Sequence, residues 1–121
     1  MRFATKLPSN MKQWFNVIAS FAHLDTTGVT LRLMKNPARA GHAGEACGNT
    51  VRLPYPQDFG YDYSQYGRSF LHELQHVVDT ITNVSYDLTE NQIESRARKA
   101  ERLVDEDTMR SLAATFRLHR A

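Results

Sequence analysis

The chain lacks the features of a secreted or a nucleic-acid-binding protein. Cys47 is the single cysteine among 121 residues, so no intrachain disulfide can form and the sequence predicts a cytoplasmic protein. The 15 lysines and arginines against 13 acidic residues leave a net charge of +2. That charge is far below the basic excess that neutralises nucleic-acid phosphates, so nucleic acid is not an expected partner.

Long apolar runs are also absent. No stretch approaches the roughly 18 apolar residues that span a bilayer. The most apolar N-terminal stretch, residues 14–24, is interrupted by Asn16, Ser20 and His23, so we predict neither a membrane segment nor a signal peptide. Hydrophobic residues still make up 41% of the chain, which is enough for a core, and the length fits a single domain over residues 1–121.

Apolar residues at helical spacing predict four helices. The first starts at Ser9, and the second has an apolar face centred on Leu74. Thr89 and Gln92 form a capping-box pattern that predicts the start of a third helix, and Asp105 provides the cap of a fourth. With two predicted strands, the order is α, β, β, α, α, α, which predicts an α+β domain.

The two strands are predicted from period-2 patterns. Residues 29–34 alternate between apolar and other side chains, and residues 50–53 form the second strand. Because Pro54 and Pro56 follow and proline cannot donate to a sheet ladder, we place the second strand at the edge of the sheet. Three glycines and a proline in residues 35–49 predict a connecting loop.

The second helix contains the sequence His72-Glu73-Leu74-Gln75-His76, which is an HExxH motif. The two histidines project from neighbouring turns of one face, so both imidazoles can bind one Zn²⁺. Glu73 is placed to take a proton from zinc-bound water, whose pKa the metal lowers toward about 7. The motif predicts one zinc ion and general-base catalysis by Glu73. The alternative is two helix histidines that only pack or hydrogen-bond.

A catalytic zinc needs a third protein ligand, for which Glu94 is the best candidate. If the second helix ends near Thr82, His76 lies about 9 Å from that end, while Glu94 lies about 7.5 Å past the Thr89 cap. Antiparallel packing of the two helices would bring His76 and Glu94 level. Ala97, one turn after Glu94, is small enough to allow close approach of the helices.

Other assignments of these residues stay open. Glu94 could instead form an i,i+4 surface ion pair with Arg98. Glu90, Glu101 and His119 compete with Glu94 as the third ligand. Glu90 lies in the first turn of its helix, where it would also favour the helix dipole. His119 would complete a three-histidine site.

The motif and the later glutamate resemble the gluzincin metallopeptidases, in which HExxH is followed by a glutamate ligand on a later helix. The resemblance covers residues 72–97 through His72, Glu73, His76, Glu94 and Ala97, and the small size is similar to that of the minimal gluzincins. It implies a zincin-like α+β domain that hydrolyses peptide bonds, with a short sheet packed on the HExxH helix. It also implies that an edge strand binds extended substrate, and the matching residues are Thr50, Val51, Arg52 and Leu53.

The sequence departs from the gluzincin pattern after Ala97. Related families often place an acidic residue there that supports a zinc-ligand histidine, whereas this chain has Arg98 and Lys99. Asp79, three residues after His76, is the candidate for that support, although it could equally face solvent.

Peptide hydrolysis also needs a hydrogen-bond donor for the developing oxyanion. The candidate donors are Tyr63, Tyr66 and Tyr86, together with Tyr61 and His42. The sequence does not select among them.

Two further functions fit the same residues. In the first, zinc is a structural or regulatory ion in a non-catalytic interaction module. In the second, the chain resembles the SprT-like proteases, which act on DNA-bound proteins and use a third histidine, here His119. The leading hypothesis is a zinc-dependent endopeptidase whose partner is a peptide or protein substrate.

Overall fold

A computed structural model describes residues 1–35 and 43–119. The helices are α1 (Ser9–Phe21), α2 (Tyr63–Ile81), α3 (Glu90–Ala100) and α4 (Glu106–Thr115). The strands are β1 (Arg2–Phe3), β2 (Thr30–Leu33), β3 (Glu45–Cys47) and β4 (Thr50–Leu53). Short 3-10 turns at Pro56–Phe59 and Val84–Asp87 flank α2. The described residues therefore form a small α+β domain, as predicted from the sequence.

The predicted helix starts are confirmed by their capping hydrogen bonds. At the start of α3, the Thr89 hydroxyl accepts from the Gln92 N–H, and the Gln92 side chain accepts from the Thr89 N–H at 2.9 Å. At the start of α4, the Asp105 carboxylate accepts from the Thr108 N–H at 2.7 Å. Each cap satisfies backbone donors that the first helical turn leaves without partners. None of the helices in the described ranges is both long and apolar enough to cross a membrane.

The four strands form one mixed sheet in the order β1-β2-β4-β3. β1, β2 and β4 are parallel, and β3 pairs antiparallel with β4. Leu31 of β2 and Ala46 of β3 lie on either side of Val51 in β4. Alternate residues of the central strands point into the core, and Val51 and Leu53 are fully buried.

The prediction that β4 is an edge strand was wrong. β4 lies between β2 and β3, and the edge next to it is occupied by β3. Pro54 comes after the last residue of β4, so it removes no donor from the ladder within the strand. The prediction of an unbroken loop over residues 35–49 was also wrong, because residues 45–47 of that stretch form β3.

The core fixes the position of α2 within the domain. Trp14 and Phe15 of α1 pack with Tyr66 and Phe70 of α2, and the ring centroids of Phe15 and Phe70 are 4.9 Å apart. The Trp14 indole also donates to the Met109 carbonyl of α4 at 3.2 Å. The helix that contains the HExxH motif is thus held by aromatic packing at its N-terminal half.

Candidate metal centre

The two histidines of the motif lie on the polar face of α2. Each side chain is about one-fifth exposed, at 19% for His72 and 20% for His76, and the ring centroids are 5.0 Å apart. Leu74, which lies between them in sequence, is fully buried on the opposite face. The 3.6-residue period of the helix therefore separates the imidazoles from the core.

Glu94 of α3 reaches both imidazoles. Its Oε1 lies 3.0 Å from Nε2 of His72, and its Oε2 lies 3.2 Å from Nε2 of His76. Fully buried Ala97, one turn later, lies on the side of α3 that allows this approach. The level arrangement of Glu94 and His76 that antiparallel packing predicts is present in the structure.

The spacing of these atoms suits a zinc ion. Two ligand atoms that bond a tetrahedral zinc at about 2.0 to 2.1 Å lie about 3.3 Å from each other. The distances of 3.0 and 3.2 Å from Glu94 to the two Nε2 atoms are close to that separation, with a different carboxylate oxygen facing each nitrogen, and both are also hydrogen-bond distances. One ligand atom each from His72, Glu73 and His76 also falls within 4.8 Å of the others. Glu94 fits the third-ligand position better than Glu73, since its two oxygens face both nitrogens.

Glu101 orients His72 from the other side of the ring. Its Oε2 lies 2.7 Å from Nδ1 of His72, and its Oε1 lies 3.6 Å from a guanidinium nitrogen of Arg68. In the neutral tautomer whose Nδ1–H donates to Glu101, Nε2 is unprotonated and its lone pair faces the Glu94 carboxylate. Two acceptors then face each other at 3.0 Å, an arrangement that a cation between them stabilises.

The structure therefore gives Glu101 the supporting position for which the sequence suggested Asp79. Asp79 is 1% exposed, and its carboxylate accepts two hydrogen bonds from Arg96, at 2.8 and 2.9 Å, and one from Gln75 at 2.9 Å. This bidentate ion pair joins α2 to α3 near His76. The sequence signal for Glu101 is its spacing, because it caps the C-terminus of α3 seven residues, or two turns, after Glu94 and so continues the same helical face.

Burial lowers the pKa of His76, and the neighbouring His72 lowers it further, while Glu94 acts in the opposite direction. Burial dominates because it disfavours the charged imidazolium. The site therefore favours the neutral imidazole of His76, which is the form that binds a metal.

The edge strand β3 borders the same site. Two adjoining clefts of about 300 and 530 Å³ share Gly44, His72, Glu73 and Glu94, and the larger one reaches Ala46 of β3. A Cβ atom at position 44 would lie 2.9 Å from the Leu53 side chain and 3.4 Å from the Glu73 side chain. Gly44 thus lets the chain pass close above Glu73.

The predicted substrate strand has to be reassigned. Val51 and Leu53 of β4 are fully buried, and Thr50 and Arg52 pair with Cys47 and Glu45 of β3. The ladder of β4 is therefore already filled on both sides, and a peptide cannot add to it. Among the described residues, the unpaired edge beside the clefts belongs to β3.

The hydroxyls of two predicted oxyanion donors, Tyr63 and Tyr66, form hydrogen bonds to backbone carbonyls away from the HExxH histidines. The Tyr63 hydroxyl donates to the His119 carbonyl at 2.9 Å, and the Tyr66 hydroxyl donates to the Pro54 carbonyl at 2.6 Å. Burial raises the pKa of Tyr66, which keeps the hydroxyl in its donor form. Tyr86 is 87% exposed in the turn after α2, and His42 lies outside the described residues.

His119 lies far from the HExxH histidines. Its ring contacts Tyr61 with a centroid distance of 4.6 Å, and its carbonyl binds Tyr63 at the start of α2. Tyr63 precedes His72 by nine residues, or about 14 Å along the helix axis. The structure thus does not bring His119 to His72 as a three-histidine site requires.

No family model, curated protein or solved structure matches this chain.

Proposed function

We propose that this protein is a zinc-dependent peptidase whose metal ligands are His72, His76 and Glu94. The observation that carries the proposal is the position of the Glu94 carboxylate at 3.0 and 3.2 Å from the two Nε2 atoms. Two nitrogens and a carboxylate are the donor set of many catalytic zinc sites, and three protein ligands leave one coordination position open. When bound, zinc would lower the pKa of water and polarise a substrate carbonyl.

Glu73 is the general base of the proposed reaction. It follows His72 directly and lines both clefts at their shared border. Its carboxylate would take the proton of the attacking water and pass it to the leaving amine. Glu101 holds the His72 ring in place, so the imidazole does not have to reorient during the reaction.

The substrate would bind as an extended peptide beside β3. This strand is antiparallel to β4 and has its other edge free within the described ranges, so a peptide can extend the sheet through main-chain hydrogen bonds. Arg52 of β4 binds Glu45 of β3 at 2.8 Å, which keeps the short strand in register. The peptide would then cross above Glu73 at the position where Gly44 leaves room.

Zinc content and peptide cleavage, measured on the same preparations, test the proposal. We expect about one zinc per chain in the unmodified protein and in Glu73→Gln, with cleavage of a casein or mixed-peptide substrate reduced at least about 100-fold in Glu73→Gln. Glu94→Ala should lose both zinc and cleavage. Glu90→Ala is the matched control, because Glu90 lies on the same helix and is exposed.

The outcomes separate the competing functions. Zinc retained in Glu94→Ala would remove Glu94 from the ligand set. Stoichiometric zinc without cleavage of any peptide would favour the non-catalytic zinc module. Undiminished cleavage by Glu73→Gln would contradict the proposed mechanism even with zinc bound.

A further inference from the structure

A separate cleft lies toward the N-terminal end of α2, away from the metal site. It has a volume of about 500 Å³ and is lined by Lys6, Tyr55, Tyr61, Tyr63, Arg117 and His119, among others; we name it the tyrosine cleft. Four separate segments meet there: the chain before α1, the turn after β4, the start of α2 and the chain after α4. Its position about 14 Å along α2 from His72 makes it separate from the zinc ligands.

The tyrosine cleft has an excess of positive charge. Lys6 and Arg117 line it, and none of its described lining residues is acidic. In residues 1–35 and 43–119, the lysine and arginine side chains that form ion pairs are those of Arg52, Arg68, Arg96, Arg98 and Arg110. The charges of Lys6 and Arg117 are thus not neutralised by a described carboxylate, and they favour an anionic ligand.

The walls of the tyrosine cleft are aromatic and partly fixed. The ring of Tyr61 contacts the ring of His119, with centroids 4.6 Å apart and planes inclined by 64°. Tyr63 is 4% exposed, and its hydroxyl is bound to the His119 carbonyl. Tyr63 is therefore part of the core beneath the cleft, and the half-buried rings of Tyr55 and Tyr61 are the ones that a planar ligand can contact.

Two residues of the tyrosine cleft have left-handed backbone conformations. Tyr61 has φ 57° and Arg117 has φ 56°, although neither is glycine. For residues with a Cβ this conformation costs on the order of 1 kcal/mol. At each position it ends a helical segment, since the Arg117 N–H binds the Ala114 carbonyl after α4 and the Tyr61 N–H binds the Pro56 carbonyl after the 3-10 turn. At both positions this turn places a large side chain in the lining of the cleft.

From these observations we infer that the tyrosine cleft binds a small planar aromatic anion of the nucleoside monophosphate class. The ring system would lie against Tyr55 and Tyr61, and the phosphate would bind Lys6 and Arg117. A volume of about 500 Å³ lies within the range of small-molecule sites. Binding at this cleft needs neither zinc nor Glu73.

The sole tryptophan provides a local reporter. Trp14 is fully buried, and its ring centroid lies 5.6 Å from that of Tyr63, while Asn10 and Met11 of the same helix line the tyrosine cleft. We would titrate the full chain with adenosine 5′-monophosphate, adenosine and inorganic phosphate. Calorimetry would measure affinity, and Trp14 emission excited at long wavelength would report the location.

We expect saturable binding of one adenosine 5′-monophosphate per chain with a change in Trp14 emission, and at least about tenfold weaker binding of adenosine and of phosphate. Lys6→Gln and Arg117→Gln should each weaken nucleotide binding by about tenfold. Lys99→Gln, which changes an exposed lysine of α3, is the control and should leave nucleotide binding unchanged. Phosphate binding as tight as the nucleotide, or equal affinities in all three variants, would overturn the inference.

The same titration distinguishes this inference from the proposed function. Nucleotide affinity should be unchanged by a chelator and by Glu94→Ala, both of which remove the proposed zinc. Loss of nucleotide binding under either treatment would place the ligand at the metal centre and overturn the inference. If the protein had no peptidase activity, nucleotide binding at the tyrosine cleft would still be expected, because none of the zinc ligands lines that cleft.

Discussion

The two faces of α2 differ in what they contact and in what they contribute. One face presents Phe70, Leu74 and Val77, all fully buried in the core. The other presents His72 and His76, each about one-fifth exposed and each bound to a carboxylate of α3. A single 19-residue helix is thus a core element on one side and a proposed metal-binding element on the other.

Stability and site geometry have separate physical sources in this protein. Burial of apolar surface stabilises the fold by about 25 cal/mol per Å². The charged contacts between α2 and α3 lose hydration energy when they form, so they add little net stability and mainly fix the helix register. Asp79 is the extreme case, since it is 1% exposed and held by Arg96. Substitutions on the apolar face should therefore change the free energy of unfolding, and substitutions on the polar face should change zinc affinity.

The largest effect is expected from Phe70→Ala on the apolar face. Phe70 is fully buried, and its ring packs at 4.9 Å from that of Phe15, so truncation leaves a cavity in the core. We expect the free energy of unfolding to fall by about 3 to 5 kcal/mol, measured by urea denaturation. Phe21→Ala truncates a phenylalanine that is 53% exposed, so it is the control and should lower the free energy of unfolding much less. Equal losses in both variants would contradict the assigned core.

An intermediate effect is expected from Glu101→Gln on the polar face. Glutamine keeps the size of the side chain but replaces a charge-assisted hydrogen bond to Nδ1 of His72, now 2.7 Å, by a neutral one. We expect zinc affinity to fall by about tenfold in competition with a chromogenic chelator, with little change in the free energy of unfolding of the metal-free protein. Glu90→Gln is the matched control. A loss of stability without a change in zinc affinity would assign Glu101 a purely structural role.

The two faces also differ in how far the sequence predicts them. The apolar face of α2 and the caps at Thr89 and Asp105 follow from local patterns, because helical period and capping involve residues within one or two turns. The position of Glu94 opposite His76 could be predicted from the distances of both residues from their helix ends.

The features that the sequence did not predict depend on tertiary contacts. β3 has three residues between Gly44 and Gly48, which is too short for a period-2 pattern to be seen. Glu101 reaches His72 only because α2 and α3 pack closely at Ala97. Asp79 binds Arg96 for the same reason, since the arginine is supplied by the neighbouring helix. Each outcome depends on how two elements pack.

The smallest effect is expected from Thr89→Ala, which separates the folding of α3 from the geometry of the metal site. The substitution removes the hydroxyl that accepts from the Gln92 N–H at the start of the helix. Loss of an N-cap of this kind costs about 1 kcal/mol of stability. Glu94 lies more than one turn beyond the cap, and α3 is held to α2 by the Asp79–Arg96 pair. We therefore expect the free energy of unfolding to fall by that amount while zinc affinity at 25 °C stays within about twofold of the unmodified protein. Asn91→Ala, an exposed change in the same turn, is the control. A tenfold loss of zinc affinity in Thr89→Ala would show that the cap, and not the contact with α2, determines the position of Glu94.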